Sequence, residues 1–325
     1  MLAVVCPGQG SQSPAMFAPW LELPGVPDQL ARLSQAAEID LVAHGTTSDA
    51  DTIRDTAVAQ PLLVAASLVA AAQLFGDRPA ADVVDVTAGH SVGELAAASV
   101  AGVFDDAGAV ALVSHRARAM AQAAAAAESG MAAVVGGDPA EVLAAIEAAG
   151  LWPANVNGGG QVVAAGAHDG LARLAEDPPA RARVIPLQVA GAFHTPFMDS
   201  ARDAFTPVAT GWAATDPSVT LLSNADGASY ATIAGDASPH GRGADVLARL
   251  AAQVVAPVRW DLCQETLLEL GVTGLVELAP GGVLTGLARR TLKGVETVAI
   301  KTPDDLEAAR DLVARHSGVR PEADA

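Results

Sequence analysis

Gly89-His90-Ser91-Val92-Gly93 is the segment whose residue types and spacing carry the most explicit chemistry. It matches G-x-S-x-G and falls between a β-branched run and a helical stretch. A sharp strand-to-helix turn forces such a serine into a strained conformation with its hydroxyl exposed. The glycines remove side chains that would collide there. The following helix points free N–H groups and its positive dipole end at an oxyanion formed nearby. Ser91 is the candidate nucleophile, and a serine nucleophile needs a base. Of seven histidines, His90 adjoins Ser91, but successive residues on a turn point apart. His115 lies in a helix beside Arg116, while His240 and His316 fall in a loop and a tail. His194, in Gly191-Ala192-Phe193-His194-Thr195-Pro196, stands between a strand end and a helix that Thr195 and Pro196 would open. Strand ends are where α/β sites form, which makes His194 the preferred base. No acid is obviously placed to orient it. That weakens a simple esterase reading, in which Ser, Asp or Glu, and His follow in that order.

Arg116 is the third informative residue. Val113, Ala117 and Met120 share its helix face, so the guanidinium is directed at the core, whereas Arg118 turns away. No acid lies three or four residues to either side. A buried guanidinium needs an anion. It could be a distant Asp or Glu, or a substrate carboxylate held by a bidentate pair. Periodicity leaves both open. The loop Pro7-Gly8-Gln9-Gly10-Ser11-Gln12 is a weak dinucleotide loop, because Ser13 stands where the third glycine would be. It could instead supply a donor to an oxyanion hole.

These residues need a scaffold. Leu2–Cys6 predicts a buried strand cut off by Pro7-Gly8. Pro61–Leu74 predicts a core helix, Val83–Thr87 a second strand, and Val92 onward a helix. Asp105-Asp106 open another helix that runs to about Ala127. This alternation predicts an α/β protein, an α/β-hydrolase-like large domain with a parallel sheet. The rhythm then changes. Strand Met131–Val135, helix Pro139–Ala149, strands Trp152–Asn157 and Gln161–Gly166 around Gly158-Gly159-Gly160, helix His168–Asp177 and strand Arg183–Val189 give β-α-β-β-α-β, the ferredoxin-like pattern. The expectation is an inserted α+β small domain over 129–190, with 1–128 and 191–325 forming the large one. The remainder predicts a helix from Pro196, strand Val219–Ser223, a loop at Asp236–Gly243, helices Val246–Val254 and Leu262–Leu270, strand Gly274–Leu278 and a helix from Leu284. A polar, frayed end is expected from His316.

Composition bounds the function. The chain has 325 residues, 37 Asp+Glu and 19 Lys+Arg, for a formal net charge of −18. That argues against nucleic acid or an anionic membrane surface as partner. Hydrophobic residues make up 51%, enough for a large core. The apolar stretch around Leu62–Ala72 is shorter than the ~18–20 residues of a membrane span. Two cysteines, Cys6 and Cys263, form no disulfide framework or zinc spacing, and Met1–Pro7 is no signal peptide. A soluble, cytoplasmic protein is expected.

Assembled, the chain resembles the malonyl-CoA:acyl carrier protein transacylase family, relatives of the acyltransferase domains of polyketide synthases. The resemblance spans nearly the whole chain. It rests on Pro7-Gly8-Gln9-Gly10-Ser11-Gln12, Gln60-Pro61, Gly89-His90-Ser91-Val92-Gly93-Glu94, Arg116 with Met120, Gly130-Met131, Asn155-Val156-Asn157, Gly191-Ala192-Phe193-His194, and Gln253 with Pro257-Val258-Arg259-Trp260, all in the family's order. It implies a ping-pong transfer of malonyl from malonyl-CoA to the phosphopantetheine thiol of acyl carrier protein, through a malonyl ester on Ser91 with His194 as base. It further implies an oxyanion hole from the main-chain N–H groups of Gln9 and Val92. The carbonyl of Gln253 would orient His194, and Arg116 would bind the malonyl carboxylate. Gln60, His90, Met120 and Asn157 would be pocket residues, and Phe193 would crowd an α-methyl. No metal and no resident cofactor are implied, the phosphopantetheine being carried by the partner, and a monomer is. The competing expectations are a serine hydrolase such as a thioesterase, and a catalytically inert module that docks carrier proteins. A free-standing chain favours fatty acid over polyketide synthesis.

Overall fold

The computed structural model describes residues 1–235 and 238–318. Ten strands run through them: β1 (Leu2–Cys6), β2 (Val86–Gly89), β3 (Ser129–Gly136), β4 (Trp152–Gly158), β5 (Gln161–Ala167), β6 (Ala182–Pro186), β7 (Thr220–Leu221), β8 (Val258–Arg259), β9 (Gly274–Glu277) and β10 (Glu296–Ala299). They form two sheets. The first, in the order β10-β9-β1-β2-β7, is parallel throughout. β1 is its centre, and all five residues of β1 are buried, as its unbroken apolar run requires. Cys6 pairs with Gly89, so β1 and β2 end side by side, at the edge where Ser91 follows.

The second sheet has the order β6-β3-β5-β4-β8. Its first four strands are antiparallel and come from 129–186, in the β-α-β-β-α-β succession. Helices Pro139–Ala148 and His168–Glu176 bury Val142, Ile146 and Leu174 against Val134, Val162 and Ala164. The β4–β5 turn holds Gly158, Gly159 and Gly160 at φ of 72°, 57° and 76°, a left-handed run that suits glycine. The fifth strand, β8, is parallel to β4 and comes from outside 129–190. The small sheet is therefore completed by the large part of the chain.

Several elements differ from expectation. Val83 closes a short helix, Ala80–Val83, and β2 starts only at Val86. Asp85 interrupts the apolar run because its carboxylate accepts from the Leu2 N–H at 2.7 Å. The core helix runs Thr56–Phe75, with Pro61 inside rather than at its start. Asp55 caps it by accepting from the Ala57 N–H at 2.7 Å, and the gained turn carries Gln60. This helix is 20 residues long with mean hydropathy 1.8, so it is long and apolar enough to cross a bilayer, contrary to the shorter span expected; 83% of its apolar window is buried inside the protein. The strand expected at Val219–Ser223 pairs with β2 only over Thr220–Leu221, and Leu222 bridges to Ser229 instead. Helices Val26–Ala37 and Leu306–His316 and strand β10 were not expected. Of the loop expected at Asp236–Gly243, Asp236 and Ala237 lie outside the described residues, as does the tail beyond Gly318.

Candidate active site

Ser91 joins β2 to the helix Gly93–Val100 at a φ of 53°, left-handed and strained for a side-chain-bearing residue. Its neighbours make the turn possible. A Cβ on Gly89 would lie 2.0 Å from the main-chain carbon of Gly93, and one on Gly93 would lie 2.2 Å from the Cys6 carbonyl oxygen. Asn224, just past β7, clamps the turn. Its Oδ1 accepts from the Ser91 N–H and its Nδ2 donates to the Gly89 carbonyl, both at 2.8 Å.

His194, also left-handed at a φ of 61°, reaches this turn from the loop before the Thr195-capped helical turn Pro196–Met198. Its Nε2 lies 2.7 Å from Ser91 Oγ, and its Nδ1 lies 2.8 Å from the Gln253 carbonyl oxygen. A carbonyl can only accept, so Nδ1 carries the proton and Nε2 presents a lone pair to the serine. Burial, then the charge of Arg116, pushes the imidazole down to about 3, against the pull of the Gln253 carbonyl. The ring is therefore neutral at ordinary pH, with the Nε2 lone pair turned to the serine hydroxyl.

Arg116, on the helix Asp106–Ala125, is fully buried. Nη1 donates to Gln60 Oε1 at 2.6 Å and Nη2 to Gln253 Oε1 at 2.8 Å, with Ser91 Oγ 3.4 Å from Nη2. Nε has no partner among the described residues. Both of these acceptors are neutral amides, and among the described residues no acid is bonded to the guanidinium. Burial lowers it to about 10, which leaves it charged at neutral pH. A cationic fork with neutral partners, beside a nucleophile, is suited to an incoming carboxylate.

A cavity of about 230 Å³ opens over these groups. Gln9, Gln60, His90, Ser91, Val92, Met120, Asn157, Phe193 and His194 all line it. Arg116 and Gln253 stand one layer behind. The main-chain N–H groups of Gln9 and Val92 make no hydrogen bond among the described residues, which leaves them available to an oxyanion. His90 is fixed by Asn157, with Nε2 2.8 Å from Oδ1, and packs edge-on to Trp260. Gln60 Nε2 lies 3.5 Å from Met120 Sδ. Val283, Leu284 and Leu287 complete the wall; they come from the helix Val283–Thr291 and were not foreseen. Asn224 was also missed. A lone asparagine after a two-residue strand carries no local signal, and its partners lie far away in sequence.

The arrangement sets a serine hydroxyl, a neutral imidazole and a charged, buried guanidinium side by side. The acyl transferase domain family matches residues 3–308. The chain belongs to the acyl transferase family. A malonyl CoA-acyl carrier protein transacylase of Mycobacterium bovis is 49% identical over 312 residues, covering 96% of this chain and 100% of that protein. The crystal structure of MCAT from Mycobacterium tuberculosis superposes with a TM-score of 0.88 at 49% identity, covering 95% of this chain and 99% of that one. A malonyl-transacylase in complex with its holo type II PKS acyl-carrier protein superposes with a TM-score of 0.84 at 29% identity, covering 95% and 99%. Within the family, this chain falls among the malonyl CoA-acyl carrier protein transacylases.

Proposed function

We propose that the chain moves a malonyl group from malonyl-CoA to the phosphopantetheine thiol of an acyl carrier protein, for fatty acid synthesis, through a malonyl ester on Ser91. His194 Nε2 takes the proton as Ser91 Oγ bonds to the thioester carbon. The oxyanion so formed is held by the N–H groups of Gln9 and Val92; losing one such donor costs about 10²–10³ in rate. Collapse breaks the C–S bond, and His194 returns its proton to the departing CoA sulfur. The carrier thiol then repeats the sequence on the ester, and Ser91 leaves with the proton. The Gln253 carbonyl keeps the ring in the tautomer both halves need.

Arg116 receives the malonyl carboxylate in this reading, with Gln60 and Gln253 holding its plane. Phe193 and Met120 shape the acyl pocket, and a ring there disfavours an α-methyl by about 1–3 kcal/mol. His90 and Asn157 brace the wall. The chemistry calls for no resident cofactor, and we take the chain to act as a monomer. Cys6 and Cys263, both buried free thiols, support a reducing, cytoplasmic setting.

The observation that carries the reading is a buried arginine with no acid hydrogen-bonded to it among the described residues, 3.4 Å from a serine that is 2.7 Å from its base. A plain hydrolase has no use for that arginine. Intact-mass spectrometry after malonyl-CoA tests it: wild type gains one malonyl group and Ser91→Ala gains none, and carrier protein then removes the group. Release of free malonate with no transfer would make the chain a hydrolase, and absence of any adduct would leave a docking module.

A further inference from the structure

Glu94 has no part in the steps above, yet it lies under all of them. It is in the first turn of the helix Gly93–Val100 and only 4% exposed. One carboxyl oxygen accepts from the Asn224 N–H at 2.7 Å, and the other accepts from Gln253 Nε2. Each partner leads directly to the reacting groups. Asn224 clamps both flanks of Ser91. Gln253 orients His194 with its main-chain oxygen and holds Arg116 with its side-chain oxygen.

The polarity of the Gln253 amide is the decisive point. Its Oε1 must face Arg116, which can only donate. Its Nε2 must therefore face an acceptor, and Glu94 supplies one, with the Ser91 carbonyl at 3.2 Å as a weaker second. A flipped amide would turn N–H groups toward a guanidinium. A carboxylate can accept at both oxygens; an amide at this position cannot. With Gln in place of Glu, its NH2 would meet either the Asn224 N–H or the Gln253 NH2.

We infer that Glu94 is the positioning residue of this site: by holding Asn224 and Gln253 on its two oxygens, it sets nucleophile, base and carboxylate receptor in one arrangement. The inference rests on the roles given above to Ser91, His194 and Arg116.

The test uses the full chain and steady-state kinetics with malonyl-CoA and acetyl-CoA. Glu94→Gln lowers kcat about 10²-fold for both acyl groups, since misplacement of the serine and its base affects both. The double variant Glu94→Gln with Gln253→Glu restores the donor–acceptor order: the new amide donates to the new carboxylate and accepts from Asn224. It recovers kcat by about tenfold or more with acetyl-CoA. Its KM for malonyl-CoA stays raised, because the new carboxylate competes for Arg116. A residue that served only stability would give neither this recovery nor this split. Wild-type kcat in Glu94→Gln, or a double variant no better than the single one, overturns the inference. If Glu94→Gln does not fold, Glu94→Asp takes its place; it keeps both acceptors one methylene short, and an unchanged kcat again overturns it. Ser91→Ala is run alongside. Loss of its adduct with normal turnover in Glu94→Gln sinks this inference alone, whereas an adduct on Ser91→Ala sinks the functional reading beneath it.

Discussion

His194 and Glu94 are both buried and both feel the charge of Arg116, and burial moves them in opposite directions for one reason: it disfavours the charged form. His194 is pushed down to about 3, so its ring stays neutral well below the ordinary 6.5. Imidazole 15N NMR should show Nε2 unprotonated at pH 5; a midpoint near 6.5 would contradict the packing described. Burial pushes Glu94 up from its ordinary 4.5, against the pull of the Asn224 N–H and the charges of Arg116 and Arg249. Each of its two oxygens already faces a donor, so these hydrogen bonds favour the charged form that burial opposes. Arg116→Ala should cost malonyl transfer at least about 10²-fold and acetyl transfer far less; equal losses would make Arg116 structural. Ser91, His194 and Arg116 were legible in the sequence because motif, strand end and helix face each leave a local mark. The use of Glu94 was not, although Glu94 itself stands in the motif, because its partners are Asn224 and Gln253, which the fold brings from 130 and 159 positions away.

At the scale of elements, the elbow depends on close main-chain approach. The helix Gly93–Val100 begins directly beneath the end of β1, and nothing flexible lies between. Gly93→Ala sets a methyl against the Cys6 carbonyl, and Gly89→Ala sets one against the Gly93 main chain. Each should destabilise the chain by about 3 kcal/mol or more in urea unfolding; a loss under about 1 kcal/mol would mean that the elbow relaxes. The sequence marks such elements well: β1 is one apolar run ended by Pro-Gly, and the Asp105 cap opens its helix by accepting from the Gly108 N–H. Elements defined by a neighbour escaped. β8 is two residues long and exists as a strand because β4 lies beside it. β10 is a half-exposed edge strand containing Glu296 and Thr297, and it carries little apolar signal. Pro61 reads as a helix start but is accommodated inside a helix whose cap lies at Asp55.

Across the whole molecule, a net charge of −18 leaves few cations to meet a carrier protein. Arg259 is tied to Asp261 at 2.8 Å, and Lys293 donates to the Arg289 carbonyl. Arg289 and Arg290 are exposed at the end of the helix Val283–Thr291, whose first two turns line the cavity. Charge reversal at both should raise KM for the carrier protein several-fold and leave malonylation of Ser91 unchanged; a carrier KM that did not move would take docking elsewhere. One further property belongs to this scale. β1 is bordered by β2 on one side and by β9 on the other, so the central strand of the sheet has its second neighbour near the far end of the chain. Synthesis runs at about 5–20 residues per second, which leaves β1 half-paired for roughly 9–37 s on the ribosome, between Gly89 and Gly274. Over that interval the apolar helix Thr56–Phe75 also lacks its Ser67 bond to the Ala279 carbonyl. A nascent chain arrested before Gly274 should expose an open, wholly apolar strand edge, a substrate for chaperones rather than a smaller working enzyme.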